Sequence, residues 1–162
     1  MTESEAFKKI AYFCAYRERS IKETREKLYS FELEDAKVDF LLDKLKEERY
    51  LDEKRFAESY VGGKFRVKQW GKIKIKMGLK AHGISNASIG EALATISEHD
   101  YANTLTELFG YKLRELKSVD SAANKQKMYN FLCSKGFEPE IVLLLIHKGA
   151  KEWPHSYFFN AF

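Results

Sequence analysis

Residues that interrupt regular structure are scarce in this chain. Its 162 residues include only 9 Gly and 2 Pro, whereas 12 Phe and 9 Tyr supply bulky apolar groups. Because Gly and Pro are the strongest breakers of helices and strands, long regular elements are permitted. The 44% hydrophobic content excludes a disordered chain, since it is enough to form a core.

Cysteine is nearly absent as well. Cys14 and Cys133 lie far apart, and neither has a histidine at ligand spacing. Zinc sites and redox pairs need closely spaced ligands, so the pattern argues against both. We therefore interpret the two cysteines as small buried hydrophobic residues. The four histidines are equally scattered, and we expect no metal and no cofactor.

Long apolar runs are also missing. The run Ile141–Ile146 has six residues, far short of the roughly 20 that a membrane-spanning helix requires. The first residues, Met1 to Phe7, contain neither a basic leader nor an apolar signal core. We therefore expect a cytoplasmic protein without a membrane partner.

Charge is modest in sum but uneven along the chain. The formal net charge is +4. Between Ser59 and Gly90 there is no acidic residue, and the remainder of the chain holds 21 basic and 24 acidic residues. This stretch, residues 59–90, is called the basic segment, and its concentrated charge predicts an anionic partner. Its seven basic residues are Lys64, Arg66, Lys68, Lys72, Lys74, Lys76 and Lys80.

An internal repeat relates three parts of the chain. Residues 20–33, 71–84 and 124–137 align by their apolar positions, and in each a leucine is followed five residues later by another apolar residue. Such self-similarity at a period of about 50 residues is typical of tandem helical units. The aligned pairs are Leu28 with Leu33, Leu79 with Ile84, and Leu132 with Phe137.

The repeat continues past these pairs at helical spacing. Five and nine residues beyond the second anchor, the apolar positions are again in step, which predicts a turn followed by an amphipathic helix. An amphipathic stretch precedes each unit. The sequence thus predicts an all-α fold of three tandem three-helix modules, in residues 1–50, 51–98 and 99–150, followed by an aromatic tail at 151–162.

Local signals agree with these helices. Ser20 and Glu23 have the spacing of a capping box. Gly83 and Gly136 fall where middle helices should end, and glycine accepts the left-handed conformation that closes a helix. Pro139 suits the first turn of a helix. Residues 72–76 alternate Lys and Ile as a strand would, but the repeat favours a helix there.

Short motifs recur in the three predicted modules. The central ones are Tyr50-Leu51-Asp52, Arg55-Phe56-Ala57, Tyr60-Val61, Gly71, Ile73, Leu79-Lys80 and Gly83-Ile84. They are flanked by Arg19-Ser20 with Lys27-Leu28 and by Lys125, Lys127, Phe131-Leu132 and Gly136-Phe137. Together, over about residues 6 to 148, these motifs resemble the RecX family of regulatory proteins.

The resemblance implies both an architecture and a role. It implies an elongated, curved arrangement of the three modules and a monomer that binds along the groove of the filament that a RecA-type recombinase forms on DNA. It further implies inhibition of recombinase, ATPase and coprotease activities in homologous recombination, DNA repair and the SOS response, together with weak affinity for DNA without sequence preference.

Two residues depart from the family pattern. Glu32 replaces the glycine expected at the end of the first middle helix, so we expect a differently shaped turn. Gly78 stands where a helix former is usual, and glycine inside a helix costs up to about 1 kcal/mol relative to alanine.

The candidate partner-binding residues are the seven cations of the basic segment, with Arg17 and Arg19 before the first middle helix. Lys72, Lys76 and Lys80 recur every four residues, so they share one helical face. A solvated surface is the plain alternative. If the face does bind a partner, phosphates and an acidic protein surface are equally compatible with it. We assign Phe56, Phe65, Tyr101 and Phe131 to the core and leave Trp70 open.

Two other functions compete with a filament regulator. The helix pairs could be helix-turn-helix DNA readers, yet the predicted last helix of each module is poor in Arg, Asn and Gln, the groups that read base edges. An enzyme is disfavoured, because Gly62-Gly63-Lys64 lacks the remaining residues of a phosphate-binding loop. No catalytic grouping of Ser, Cys, His or Asp stands out either.

Overall fold

A computed structural model describes residues 1–149, so the predicted aromatic tail at 151–162 lies outside the described residues. Residues 1–149 form nine α-helices and contain no strand, which confirms the all-α prediction. The lysine-rich stretch is helical despite its alternation. The helices are α1 (Glu3–Tyr16), α2 (Ile21–Tyr29), α3 (Asp35–Glu47), α4 (Glu53–Arg66), α5 (Lys72–Ala81), α6 (Asn86–Leu93), α7 (Glu98–Leu116), α8 (Ala122–Ser134) and α9 (Pro139–Lys148).

The chain divides into two compact units. The first unit comprises Met1–Val61 with Gly78–Ala92, and the second comprises Gly62–Met77 with the described residues from Leu93 onward. The helices α4 and α5 therefore each have some residues in the first unit and the others in the second. None of the helices among the described residues is long and apolar enough to cross a membrane.

In the first unit, α1, α2 and α3 pack around one apolar cluster. Capping boxes begin α1 at Thr2 and α2 at Ser20, so two otherwise free backbone donors are satisfied at each start. The Ser20 box is the one that the sequence predicts. The fully buried members of the cluster include Ala6, Ile10, Leu28, Val38, Leu41, Leu42 and Leu45.

Three aromatic rings gather beside the first-unit part of α5. The ring of His82 lies 5.1 Å from that of Phe56 and 5.5 Å from that of Tyr60. A Cβ on Gly78 would lie 2.8 Å from Cζ of Tyr60, closer than real Cβ atoms approach. An added Cβ would therefore force the Tyr60 phenol, which lies against this helix position, to move. Burial raises the pKa of that phenol.

Polar contacts connect α2 and α4 to the residues around α5 and α6. The Glu53 carboxylate accepts hydrogen bonds from Ser85 N at 3.0 Å and from Ser88 Oγ at 2.8 Å, and these bonds lower its pKa. The Lys22 ammonium donates to the Ala81 carbonyl oxygen at 3.0 Å. Because α5 ends at Ala81, this ammonium satisfies one of the carbonyls that a helix end leaves free.

In the second unit, α7, α8 and α9 form the apolar core with the end of α4 and the start of α5. Pro139 occupies the first turn of α9, as predicted. Phe65 and Tyr101 are buried as expected, whereas Phe131 is only half-buried. The fully buried members include Ile75, Leu105, Met128, Leu132, Val142 and Leu145.

The structure bears on three sequence expectations about single residues. Gly83 and Gly136 adopt φ of 75° and 96°, as predicted for helix ends. Glu32 takes the left-handed conformation in place of glycine, with φ of 59°, and a different shape of that turn stays a prediction. Cys14 is buried, but Cys133 is only half-buried, so the buried assignment is wrong for Cys133, whose α8 position leaves one side partly open.

Candidate functional site

The candidate site is the basic segment, which forms the end of α4, the connection to α5, all of α5 and the start of α6. Three lysines of α5 recur every four residues, which places them on one side of that helix: Lys72, Lys76 and Lys80. The units divide the segment, because Lys80 belongs to the first unit. The second unit contains Lys64, Arg66, Lys68, Lys72, Lys74 and Lys76.

Two of these lysines lie over one indole ring. Nζ of Lys64 is 4.7 Å and Nζ of Lys74 is 4.5 Å from the centre of the Trp70 ring. Each such contact stabilises by about 0.5 to 1 kcal/mol at a partly exposed site. Trp70 therefore holds two cations of the basic segment beside its ring.

Lys72 is held by a buried tyrosine. Its backbone N–H donates to Tyr101 Oη at 3.0 Å, and its Nζ lies 4.9 Å from the centre of the same ring. Tyr101 Oη in turn donates to a Glu138 carboxylate oxygen at 2.6 Å. Burial, followed by the charge of Glu138, raises the pKa of Tyr101, so the phenol stays protonated and keeps donating.

Backbone carbonyl groups also accept from the start of α5, on either side of the bond from Lys72 N to Tyr101 Oη. Gly71 N donates to the Lys135 carbonyl oxygen at 2.8 Å, and Ile73 N donates to that of Gly136 at 3.0 Å. A Cβ on Gly71 would overlap the Gly136 carbonyl group, so only glycine allows this approach. The backbone donors of Gly71 and Ile73 thus find partners in the turn after α8. The sequence signal that could have pointed to this contact is Gly71, which offers no capping side chain before Lys72.

The other cations of this unit face solvent. Arg66, Lys68 and Lys76 are exposed. Along residues 1–149, neither Lys68 nor Lys76 takes part in an ion pair. Two apolar residues of α5 are exposed near them, Ile73 at 41% and Met77 at 66%. The sequence reasoning assigned neither residue to the site, although their spacing of four places them on one side of α5.

The two arginines before α2 are held by their own unit. Arg17 and Arg19 approach the Glu23 carboxylate at 3.3 Å and 3.9 Å. The Arg19 guanidinium lies 3.8 Å from the centre of the Phe13 ring, and its side chain is 11% exposed. Arg17 stays 60% exposed and is the more accessible of the two to a partner.

Known proteins of one family match this chain over most of its length. Residues 52–93 match the family described as RecX, second three-helix domain. The chain is 32% identical over 136 residues to the Regulatory protein RecX of Chlorobium phaeobacteroides, covering 84% of this chain and 87% of that protein. It is 30% identical over 138 residues to the Regulatory protein RecX of Bacillus licheniformis, covering 85% of this chain and 52% of that protein.

The chain therefore spans about half the length of some curated relatives, including the Bacillus protein. A crystal structure of RecX from Lactobacillus salivarius superimposes with a TM-score of 0.80 at 23% identity, covering 90% of this chain and 94% of that one. That likeness supports the fold, and the Chlorobium relative is matched over most of its length. The chain belongs to the RecX family of regulatory proteins.

Proposed function

We propose that this chain binds the filament formed by a RecA-type recombinase on DNA and lowers its recombinase, ATPase and coprotease activities. Membership of the RecX family supports this role, because the motifs shared with that family imply it. The proposal covers the described residues as a non-enzymatic binding protein, whose effect would come from occupying the filament.

The observation that carries the proposal is the basic segment with its accessible cations. Seven basic residues occur in this stretch without one acidic residue. Lys68 and Lys76 are exposed, so both are accessible to an anionic surface. A concentrated positive patch attracts an anionic partner and speeds its encounter with it. Both the protein and the DNA of a recombinase filament offer such groups.

The test is DNA-dependent ATP hydrolysis by the recombinase encoded in the same genome. We expect the purified chain to lower the hydrolysis rate at well below one molecule per recombinase subunit. An unchanged rate at equimolar protein would contradict the proposal. The chain should be added both to a pre-assembled filament and to free recombinase before DNA is supplied. Because the proposed binding is along the filament, we expect the rate of ATP hydrolysis to fall in both experiments.

Direct action on DNA is the second candidate, favoured by the exposed Arg66, Lys68 and Lys76. Such binding would neutralise phosphates and would fall steeply with salt through counterion release. It would not be sequence-specific, because helices α6 and α9 offer few groups that read base edges. Two results would favour this candidate. The chain would bind bare DNA tightly at physiological salt, and it would not bind the recombinase when DNA is absent.

A further inference from the structure

The exposed side of α5 combines apolar and cationic groups. Ile73 and Met77 are one helical turn apart, and Lys76 neighbours Ile73 at a spacing of three. We call these three residues the α5 patch. Ile73 is 41% and Met77 66% exposed, although the same unit buries Ile75 completely. Val67 and Lys68, in the connection before α5, are exposed too.

A phosphate backbone is a poor match for this patch. Charged phosphate groups do not provide an apolar environment for the side chains of Ile73 and Met77, so the hydrophobic effect would add little to such binding. The cations are also less concentrated than the sequence indicates. The ammonium groups of Lys64, Lys72 and Lys74 lie over aromatic rings of their own unit, so they would have to leave those rings to contact phosphates directly.

An acidic protein surface matches the patch better. Stable protein interfaces have an apolar centre and a polar rim, and methionine is enriched in them. Here Ile73 and Met77 would form the centre, and Lys68 and Lys76 would meet carboxylates at the rim. Methionine adds an adaptable side chain that can follow the shape of the partner.

We infer that the α5 patch binds an acidic segment of the partner protein that carries an apolar side chain at its centre, and not the DNA. The inference rests on the proposed function, because that partner is the recombinase of the filament. Binding through this patch would combine a salt-dependent contribution from Lys76 and the preceding Lys68 with a salt-resistant contribution from the two apolar residues.

The test compares two probes and two pairs of variants. The probes are a recombinase filament assembled on a labelled oligo-dT and the same bare oligo-dT. The apolar variant is Ile73→Gln/Met77→Gln, which keeps side-chain length and adds no charge. Its matched control, Phe40→Gln/Leu143→Gln, alters two residues that are 53% and 54% exposed on other helices. Equal helix content and Tm show that each variant is folded.

We expect the apolar variant to bind the filament about tenfold more weakly than the control, as loss of a central contact pair should. Its binding to bare oligo-dT should equal that of the control. The affinity for the filament should also be measured at raised salt. The difference in affinity between wild type and a Lys68→Glu/Lys76→Glu variant should become smaller, whereas the loss of affinity caused by Ile73→Gln/Met77→Gln should stay unchanged.

The possible failures are distinguishable. If the apolar variant binds the filament like its control, or loses oligo-dT binding as strongly as filament binding, the inference is wrong while the proposed function stands. If the wild-type chain binds no filament at all, the proposed function fails, and the inference fails with it.

Discussion

Gly78 in the interior of α5 gives the sharpest test of the packing described above. In an open helix position, Gly→Ala stabilises by about 1 kcal/mol through helix propensity. At Gly78 the new Cβ would meet the Tyr60 ring, with Cζ 2.8 Å and Cε1 3.1 Å away. The ring would have to leave the cluster that it forms with Phe56 and His82.

The magnitude follows from these two opposing effects. Each ring contact that Tyr60 gives up is worth about 0.5 to 1.5 kcal/mol, so two contacts amount to about 2 kcal/mol and exceed the propensity gain. We expect Gly78→Ala to lower the free energy of unfolding by about 1 kcal/mol. After Tyr60→Ala the obstacle is gone, and Gly78→Ala should then raise it by about 1 kcal/mol.

The assay is urea unfolding of the four proteins of this double-mutant cycle, followed by helix content. Gly90→Ala is the matched control, because Gly90 lies in α6 and nothing is within 4 Å of its added Cβ. It should stabilise by about 1 kcal/mol with or without Tyr60. If Gly78→Ala stabilises the wild-type background as much as Gly90→Ala does, the close contact between Tyr60 and Gly78 is refuted.

Two further predictions concern the start of α5. Gly71→Ala should destabilise by about 3 kcal/mol in urea unfolding, because its Cβ would meet backbone atoms of Gly136 that cannot turn aside; a loss below that of Gly78→Ala would contradict this. Tyr101→Phe should cost about 2 kcal/mol, since Lys72 N and Glu138 both lose their partner. The pKa of Tyr101 is raised in the folded state, so this tyrosine contributes stability that is complete below about pH 10 and is lost as pH rises. The phenylalanine variant should therefore lose less stability than wild type between about pH 8 and pH 11, and parallel pH curves would contradict the assignment.

The apolar repeat made most of the fold predictable from the sequence. Leu28, Leu79 and Leu132, the anchors of the alignment, are each 0% exposed. Helix periodicity is a local property, so it survives in a single sequence. The pattern was less informative where burial is partial: Leu33 and Leu93, which align with buried residues of the other repeats, are only half-buried. The boundaries of the three modules remain a prediction.

The cations of the candidate site were predictable, but their surroundings were not. Charge distribution located Lys64 to Lys80, yet Lys72 contacts Tyr101, a residue 29 positions away in the chain. Contacts of this kind depend on how α5 packs against α7 and on the turn after α8. Spacing along one helix contains no information on that packing. The same limitation concealed the exposure of Ile73 and Met77.

The central claim is that accessible cations of the basic segment attach this chain to a recombinase filament. Lys68→Glu/Lys76→Glu reverses two exposed charges, and Lys8→Glu/Lys37→Glu, also at exposed positions, makes the same change in net charge outside the segment. In the DNA-dependent ATPase assay, the first variant should need about tenfold more protein than wild type for half-inhibition. The second should match wild type. Equal loss of inhibition in both variants, or full inhibition by the first, would contradict the account.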